Sequence, residues 1–261
     1  MRLLPFLLIT ISAYAADPLI IGHRGCRALM PENTMAAFSH ALRSGADVLE
    51  LDVVVTSDDH LVVHHDLELS GKAVRSLSLA QVKEFDRGGT RSPGFPRQAS
   101  IPGERIPLLA DVLAFAGQRN AKLMIETKVD PSVDPVWFAT RINELLLQHH
   151  LSERSMLQSF DHRTLHAMHR INPAVSLVLL NPSKLLLDYI GPARALGSKA
   201  IQFVNFRVIT PEIVKTLHEA RIPVFSGTTD DPVQWERLRT MGVDGILTDD
   251  PEGLRRLMPS K

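Results

Sequence analysis

The sequence predicts a single-domain α/β fold, a closed barrel in which eight strands alternate with eight helices. Short apolar runs alternate with helical patterns from Pro18 to the end of the chain, and such alternation indicates parallel strand pairing. Eight strand–helix units are the number that closes a barrel, and a chain of 261 residues is typical of one such domain. The predicted fold class is therefore the (β/α)8 TIM barrel.

Eight barrel strands are predicted from apolar runs that turn residues separate. In chain order these runs are PLIIGH, ADVLELDVVVT, KLMIETK, SMLQSF, AVSLVLL, KAIQFV, IPVFSG and VDGILT.

A helix is predicted after every strand. The first, Thr34 to Arg43, places Met35, Phe38 and Leu42 on one stripe and ends before Gly45. The other helices are predicted at PLLADVLAFAGQR, at about 134–150, at DHRTLHAMHR, after Ser183, at 210–221, after Pro232 and from Glu252.

A short insertion follows the second strand. It contains the strand-like run HLVVHH, the helical pattern SLSLAQVKEF and a loop from Arg87 to Pro107 that is rich in Gly, Pro and Arg. A loop of this length is more often functional than idle, and its size predicts at most a small lid over the barrel.

The first fifteen residues predict an export signal rather than part of the fold. Arg2 precedes an apolar run from Leu3 to Ile11, and Ala13-Tyr14-Ala15 resembles a cleavage site. We therefore expect a signal peptide over residues 1–15, a barrel domain over 16–261, and a periplasmic or secreted protein with no stable membrane anchor after cleavage. The alternative is an uncleaved anchor, although the apolar run falls short of the ~20 residues of a spanning helix.

The charge balance argues against a nucleic-acid partner. Lys plus Arg and Asp plus Glu both number 29, whereas a nucleic-acid binder needs a surplus of basic residues.

The single cysteine, Cys26, cannot form an internal disulfide. It is expected to be a packed small residue rather than a reactive thiol.

Three acidic residues predict a metal site. Glu50 and Asp52 lie two apart on the second strand and so share one face, and Glu126 ends the third strand. Carboxylates that share a buried face raise one another's pKa, and a bound cation removes that penalty. Three hard oxygen ligands suit Mg²⁺ or Ca²⁺. The alternative is a structural network in which these acids pair with Arg24 and Lys128.

Basic and titratable residues surround the predicted metal site. Arg24 follows the first strand, and Lys128 lies two residues after Glu126. Cations that converge beside a metal suit a phosphate group. His23 and His65 also follow strands, and imidazole can accept and donate protons near neutral pH. They are the candidate acid–base pair.

A further group of histidines is predicted to lie on the protein surface. His162, His166 and His169 recur at helical spacing, which can bind a metal. The helices of such a barrel lie on the outside, away from the catalytic end of the strands, so a solvent-exposed face is expected instead.

Several ordered sequence blocks resemble the glycerophosphodiester phosphodiesterase family. The blocks are HRG, PENT, GAD-VLELDV, HHD, IETK and GVDGILTDDP, and they extend from Ile21 to about Pro251. The resemblance implies a TIM barrel that uses a divalent metal to hydrolyse glycerophosphodiesters to sn-glycerol 3-phosphate and an alcohol. The roles it implies are catalysis by His23 and His65, phosphate binding by Arg24 and Lys128, and metal binding by Glu50, Asp52 and Glu126.

The PENT block supplies supporting residues. Asn33 or Thr34 can cap the following helix. Glu32 is expected to orient its neighbours by hydrogen bonds rather than to bind the metal.

The chain departs from the family pattern after the seventh strand. Gly227 stands where the family often has Trp, and Asp230 stands near the position of an Asn. We expect the missing indole to open space beside the metal and to loosen selection of the glycerol moiety. The family's Arg-Thr after the second histidine block is also replaced, by ELSGKAVRS.

Two other functions remain open at this point. One is a lysophospholipase D or sphingomyelinase D-like phosphodiesterase, although such relatives lack the full PENT and GVDGILTDDP blocks. The other is an exported glycerophosphodiester-binding protein, which would be expected to have lost a histidine or an acid. The choice between direct attack by water and a cyclic phosphate route also stays open.

Overall fold

A computed structural model describes residues 17–181 and 190–258 of the chain. Its strands are β1 Leu19–Gly22, β2 Val48–Val55, β3 Leu61–Val63, β4 Glu68–Leu69, β5 Lys72–Ala73, β6 Lys122–Thr127, β7 Ser155–Ser159, β8 Ser176–Asn181, β9 Ala200–Phe203, β10 Val224–Ser226 and β11 Gly245–Thr248. Its α-helices are α1 Met35–Arg43, α2 Leu79–Glu84, α3 Leu109–Gln118, α4 Pro135–Gln148, α5 His162–Ile171, α6 Ile190–Ala195, α7 Pro211–Glu219, α8 Pro232–Met241 and α9 Pro251–Leu257.

The strands β1, β2, β6, β7, β8, β9, β10 and β11 form a closed parallel barrel. Each pairs with its neighbour in that order, and β1 closes the ring because it pairs with both β11 and β2. The carboxyl ends of all eight strands therefore meet at one mouth of the barrel. The predicted (β/α)8 TIM barrel is confirmed.

The helix starts follow from local capping chemistry. A side-chain oxygen just before the helix accepts a backbone N–H, and four helices then begin with proline, whose fixed φ suits the first helical position. The residues that cap α1, α4, α7, α8 and α9 are Thr34, Asp134, Thr210, Asp231 and Asp250.

The insertion after β2 occupies residues 56–108, and its regular elements are all short. β3 pairs antiparallel with the end of β2, β4 and β5 form a separate two-stranded sheet, and α2 follows. From Phe85 to Leu108 the chain forms no helix or strand longer than an isolated bridge. This long loop lies close to the barrel mouth, because the Ala99 N–H donates to the Leu29 carbonyl and Gln98 donates to the Arg27 carbonyl.

Cys26 and the three histidines of α5 lie away from the barrel interior. Cys26 is fully buried, and burial raises the pKa of its thiol to about 12, as expected of a packed residue. His162, His166 and His169 are exposed on α5, and within the described ranges they form no group that could hold a metal.

The predicted signal peptide and the segment just after Ser183 lie outside the described residues. Within residues 17–181 and 190–258, no helix has the length and apolar character needed to cross a lipid bilayer.

The expectation of open space at Gly227 is wrong. A Cβ atom at this position would lie 2.0 Å from the carbonyl oxygen of Val204 and 2.7 Å from that of Phe203. The backbone that follows β9 therefore fills the space in which a side chain at residue 227 would begin. Glycine is required here for close packing of two chain segments and does not widen the site.

We expect Gly227→Ala to lower the free energy of unfolding by about 1–3 kcal/mol, the usual cost of overpacking. Chemical denaturation of the wild-type and variant proteins measures this difference. Gly117→Ala is the matched control, because a Cβ there would meet no atom closer than 4.0 Å and alanine favours the helix. Equal stability of Gly227→Ala and Gly117→Ala would contradict the close approach at Gly227.

Candidate active site

The barrel interior is built in an apolar layer followed by a mostly polar layer. One residue from each barrel strand forms the apolar layer: Ile21, Val48, Met124, Met156, Val178, Ala200, Phe225 and Leu247. Side chains two residues further along a strand lie on the same face. Those next residues are His23, Glu50, Glu126, Gln158, Leu180, Gln202, Gly227 and Asp249. The alternation of strand residues thus brings polar groups together at the mouth of the barrel.

Three buried carboxylates form the centre of this mouth. Glu50 and Asp52 lie on β2, and Asp52 is the direct register partner of Glu126 on β6. One oxygen from each of the three side chains lies within 4.8 Å of the other two. Strand register alone therefore places the three predicted acids side by side.

The cluster holds more carboxylates than fixed cations. Lys128 Nζ bonds to Glu126 Oε1 and lies 3.1 Å from Asp52 Oδ1, and Arg24 Nε lies 3.4 Å from Asp52 Oδ2. Glu50 instead accepts only neutral donors, the Arg24 N–H at 2.7 Å and the Gln158 amide at 3.3 Å. The alternative of a purely structural network with Arg24 and Lys128 therefore leaves Glu50 without an ion pair to either cation.

The pKa values reflect this shortage of positive charge. Burial and the neighbouring Asp52 raise the pKa of Glu50 to about 8, and the same two causes raise that of Glu126. Burial acts on Asp52 as well, but Lys128 and Arg24 hold its pKa below the usual value. At neutral pH the cluster is therefore stable only if Glu50 retains a proton or if a cation lies nearby.

The donor set fits a divalent metal. Three hard carboxylate oxygens are the ligands that Mg²⁺ and Ca²⁺ prefer, whereas histidine or cysteine is more typical of zinc. Asp52 Oδ1 is buried and accepts no hydrogen bond, although Lys128 lies nearby. An oxygen in this state can serve as a metal ligand without losing a hydrogen bond. Glu50, Asp52 and Glu126 form a candidate divalent metal site.

His23 is oriented by a carboxylate that the sequence analysis did not assign. Its Nδ1 lies 2.7 Å from Asp249 Oδ1, because β1 and β11 are neighbours and each residue directly follows its strand. Although burial lowers the pKa of His23, the Asp249 bond and charge raise it overall. Asp249 is in turn held by Asp230, which accepts from its backbone N–H at 2.8 Å.

His65 lies on the other side of the mouth, after β3. Its Nδ1 lies 2.7 Å from Asp66 Oδ1. Burial and the nearby Lys128 and Arg24 lower the pKa of His65, against the opposing effect of Asp52. The two predicted histidines therefore have pKa values shifted in opposite directions.

The turn after β1 is strained in a way that positions its cation. Arg24 has φ 50° and Asn33 has φ 57°, both in the left-handed region that non-glycine residues rarely occupy. Gly25 follows at φ 88°, and a Cβ there would lie 2.8 Å from Ala37. This tight turn directs the backbone N–H of Arg24 toward Glu50 and holds the Arg24 guanidinium beside Asp52.

Glu32 and Asn33 contact their neighbours in the site through ion pairs and hydrogen bonds. Glu32 accepts from Arg24 Nη1 at 3.1 Å and also pairs with Arg27 and Arg87. Although burial would raise its pKa, these three arginines lower it. Asn33 Nδ2 donates to Asp52 Oδ2 at 2.8 Å. Glu32 is not part of the carboxylate cluster, and Asn33 contacts it through Asp52.

Sequence reasoning identified the acids, cations and histidines that the barrel mouth brings together, and missed some partners. Asp249 and Gln158 both lie at the carboxyl ends of barrel strands, and that position alone could have selected them. Arg27 and Arg87 lie in loops, where no periodic signal exists. Only the contacts with Glu32 reveal them.

The chain is similar to known proteins over most of its length. Residues 23–253 match the model of the glycerophosphoryl diester phosphodiesterase family. A glycerophosphodiester phosphodiesterase of Caldanaerobacter subterraneus is 33% identical over 245 residues, which cover 92% of this chain and 97% of that protein.

Solved structures share the fold over nearly the whole length. A glycerophosphodiester phosphodiesterase of Parabacteroides distasonis is 25% identical in sequence, and the two structures superpose with a TM-score of 0.78. The alignment covers 92% of this chain and 96% of that one. A phosphodiesterase of Oleispira antarctica, solved in complex with its product sn-glycerol 3-phosphate, is 22% identical with a TM-score of 0.83 and the same coverage. This second likeness concerns the fold.

The family match spans every block that carries the site, from His23 to the residues after β11. The chain belongs to the glycerophosphoryl diester phosphodiesterase family and is a phosphoric diester hydrolase.

Proposed function

We propose that this enzyme hydrolyses glycerophosphodiesters to sn-glycerol 3-phosphate and an alcohol, with a divalent metal, Ca²⁺ or Mg²⁺, held by Glu50, Asp52 and Glu126. The observation that carries the proposal is the buried carboxylate cluster with Arg24, Lys128 and the two histidines around it. The product complex of the Oleispira antarctica phosphodiesterase supports the same product class.

The fixed cations bind the phosphate in this proposal. When bound, the divalent metal neutralises the carboxylates and polarises the phosphoryl oxygens. Arg24 and Lys128 stabilise the charge that develops on those oxygens, and the tight turn at Arg24 holds one of these charges in place before the substrate arrives.

The two histidines divide the proton transfers. His65, whose pKa is lowered, is neutral at pH 7 and accepts the proton of the attacking hydroxyl. His23, whose pKa Asp249 raises, holds a proton on the ring and donates it to the alcohol oxygen as the P–O bond breaks. Since Nδ1 is bonded to Asp249, Nε2 is the atom that delivers this proton. Asp249 acts as a positioning residue.

We further propose that the enzyme is exported and that residues 1–15 are removed. The family match begins only at His23, and the preceding residues have the pattern of a signal peptide. Mass spectrometry of the protein from its native host is expected to find Ala16 at the amino terminus. An intact chain beginning at Met1 in the membrane fraction would contradict the proposal.

Metal removal is expected to abolish the release of glycerol 3-phosphate from glycerophosphodiesters, and addition of Mg²⁺ or Ca²⁺ is expected to restore it. Glu50→Gln should lower kcat/KM by more than about 100-fold, since even residues that only orient metal ligands cost roughly 10–100-fold. The matched control is Glu144→Gln, an exposed glutamate on α4 that pairs with Arg141. Full activity in excess chelator would refute the metal-dependent proposal.

The pH profile of kcat/KM is expected to be bell-shaped. Activity falls at low pH as His65 becomes protonated, below its lowered pKa, and falls at high pH as His23 loses its proton, above its raised pKa. Asp249→Asn removes the charge that raises the pKa of His23. It should therefore move the alkaline limb to lower pH and leave the acid limb in place as an internal control. An unmoved alkaline limb would show that His23 is not the proton donor.

A further inference from the structure

A cavity of about 610 Å³ lies beside the site and is lined mainly by the insertion after β2. Its lining includes Arg24, His65, Arg27, Arg87 and Arg91. A phosphodiester carries two alcohol groups, called arms here, on one phosphate. If the phosphate lies at Arg24, one of these arms needs a cavity next to Arg24. The cavity therefore borders the proposed phosphate position at Arg24 and the proposed proton acceptor His65.

Among the largely buried side chains that line the cavity, positive charge exceeds negative charge. Three guanidinium groups form ion pairs with the Glu32 carboxylate. The distances to its oxygens are 2.5 Å from Arg27 Nε, 2.8 Å from Arg87 Nη2 and 3.1 Å from Arg24 Nη1. Arg24 is already beside Asp52. Arg27 and Arg87 thus share one carboxylate, which leaves a surplus of one positive charge.

The surplus positive charge lies on side chains that are largely buried. Arg87 has a side chain only 18% exposed, and its Nε is buried without a hydrogen-bond partner. Arg87 also lines the cavity. Charges that are largely shielded from water are screened less, so an anion beside Arg87 gains more free energy than it would beside a fully exposed arginine. Arg27 is held in place by the ring of Phe95, 4.7 Å from its guanidinium carbon.

The acidic residues of the cavity do not cancel this surplus. Asp66 and Asp86 keep their negative charges, but both side chains are exposed, Asp66 by 68%, so solvent screens them far more than it screens Arg27 and Arg87. Glu68 and Arg91 also line the cavity and are both exposed, so solvent screens these two opposite charges as well.

We propose that this cavity binds the alcohol arm of the substrate and selects alcohols that carry a negative charge, such as a carboxylate or a phosphate. Arg87 and Arg27 are the specificity-determining residues. The glycerol arm carries no charge and gains nothing from them, whereas a carboxylate can accept two parallel bonds from a guanidinium. A cationic alcohol such as choline would meet an excess of like charge. This inference rests on the proposed phosphodiesterase function.

The test compares two substrates that differ by one carboxylate. The wild-type enzyme is assayed with glycerophosphoserine and glycerophosphoethanolamine, and kcat/KM is expected to favour the serine diester roughly ten- to a hundredfold, the usual effect of a hydrogen bond to a charged group. Arg87→Gln should reduce that ratio to near one, and Arg87→Lys should retain part of it, because the charge remains while the planar fork is lost. Arg27→Gln provides the same comparison if Arg87→Gln fails to fold.

Arg105→Gln is the matched control. Arg105 is an exposed arginine of the same long loop that bonds to the Glu84 carbonyl outside the cavity, so its loss should leave the ratio unchanged. Equal kcat/KM for both diesters in the wild type, or a serine preference that survives both Gln variants, would overturn the inference while leaving the proposed function intact. Failure to hydrolyse either diester would instead overturn the proposed function, and this inference with it.

Discussion

Three carboxylates buried side by side at the mouth of the barrel impose the constraint on which the site depends. Their oxygens lie within 4.8 Å of one another, and water cannot screen them there. Two fixed cations, Arg24 and Lys128, balance Asp52 and Glu126. Both hydrogen-bond donors to Glu50 are neutral, and its pKa rises to about 8. The site therefore needs one more positive charge, and a divalent metal supplies it.

The surrounding residues follow from that constraint. The strained turn after β1 places the Arg24 backbone N–H on Glu50 and its guanidinium near Asp52. The same cations that balance the acids lower the pKa of His65, and the separate carboxylate of Asp249 raises that of His23. Under the proposed function, this one charge arrangement binds the substrate anion and makes His65 the proton acceptor and His23 the proton donor.

The barrel and the central acids could be predicted from the sequence because both arise from local patterns. Alternation along β2 places Glu50 and Asp52 on one face, and the strand–helix order makes β6 its neighbour. The role of Asp249 depends on closure of the ring between the first and last strands, 226 residues apart along the chain. The packing at Gly227 depends on backbone from another strand, which is why the expectation of an open pocket was wrong. The arginines on Glu32 come from separate loops, where spacing carries no information.

Proton release on metal binding tests the central claim most directly. If Glu50 holds a proton at pH 7 because the cluster lacks positive charge, a metal that binds there must displace it. Calorimetric titration of the metal-free enzyme with Mg²⁺ or Ca²⁺, in buffers of different ionisation enthalpy, is expected to show one ion bound per chain with release of about one proton. Glu50→Gln should release none. Metal binding without proton release in the wild type, or equal binding and release in the variant, would contradict the account.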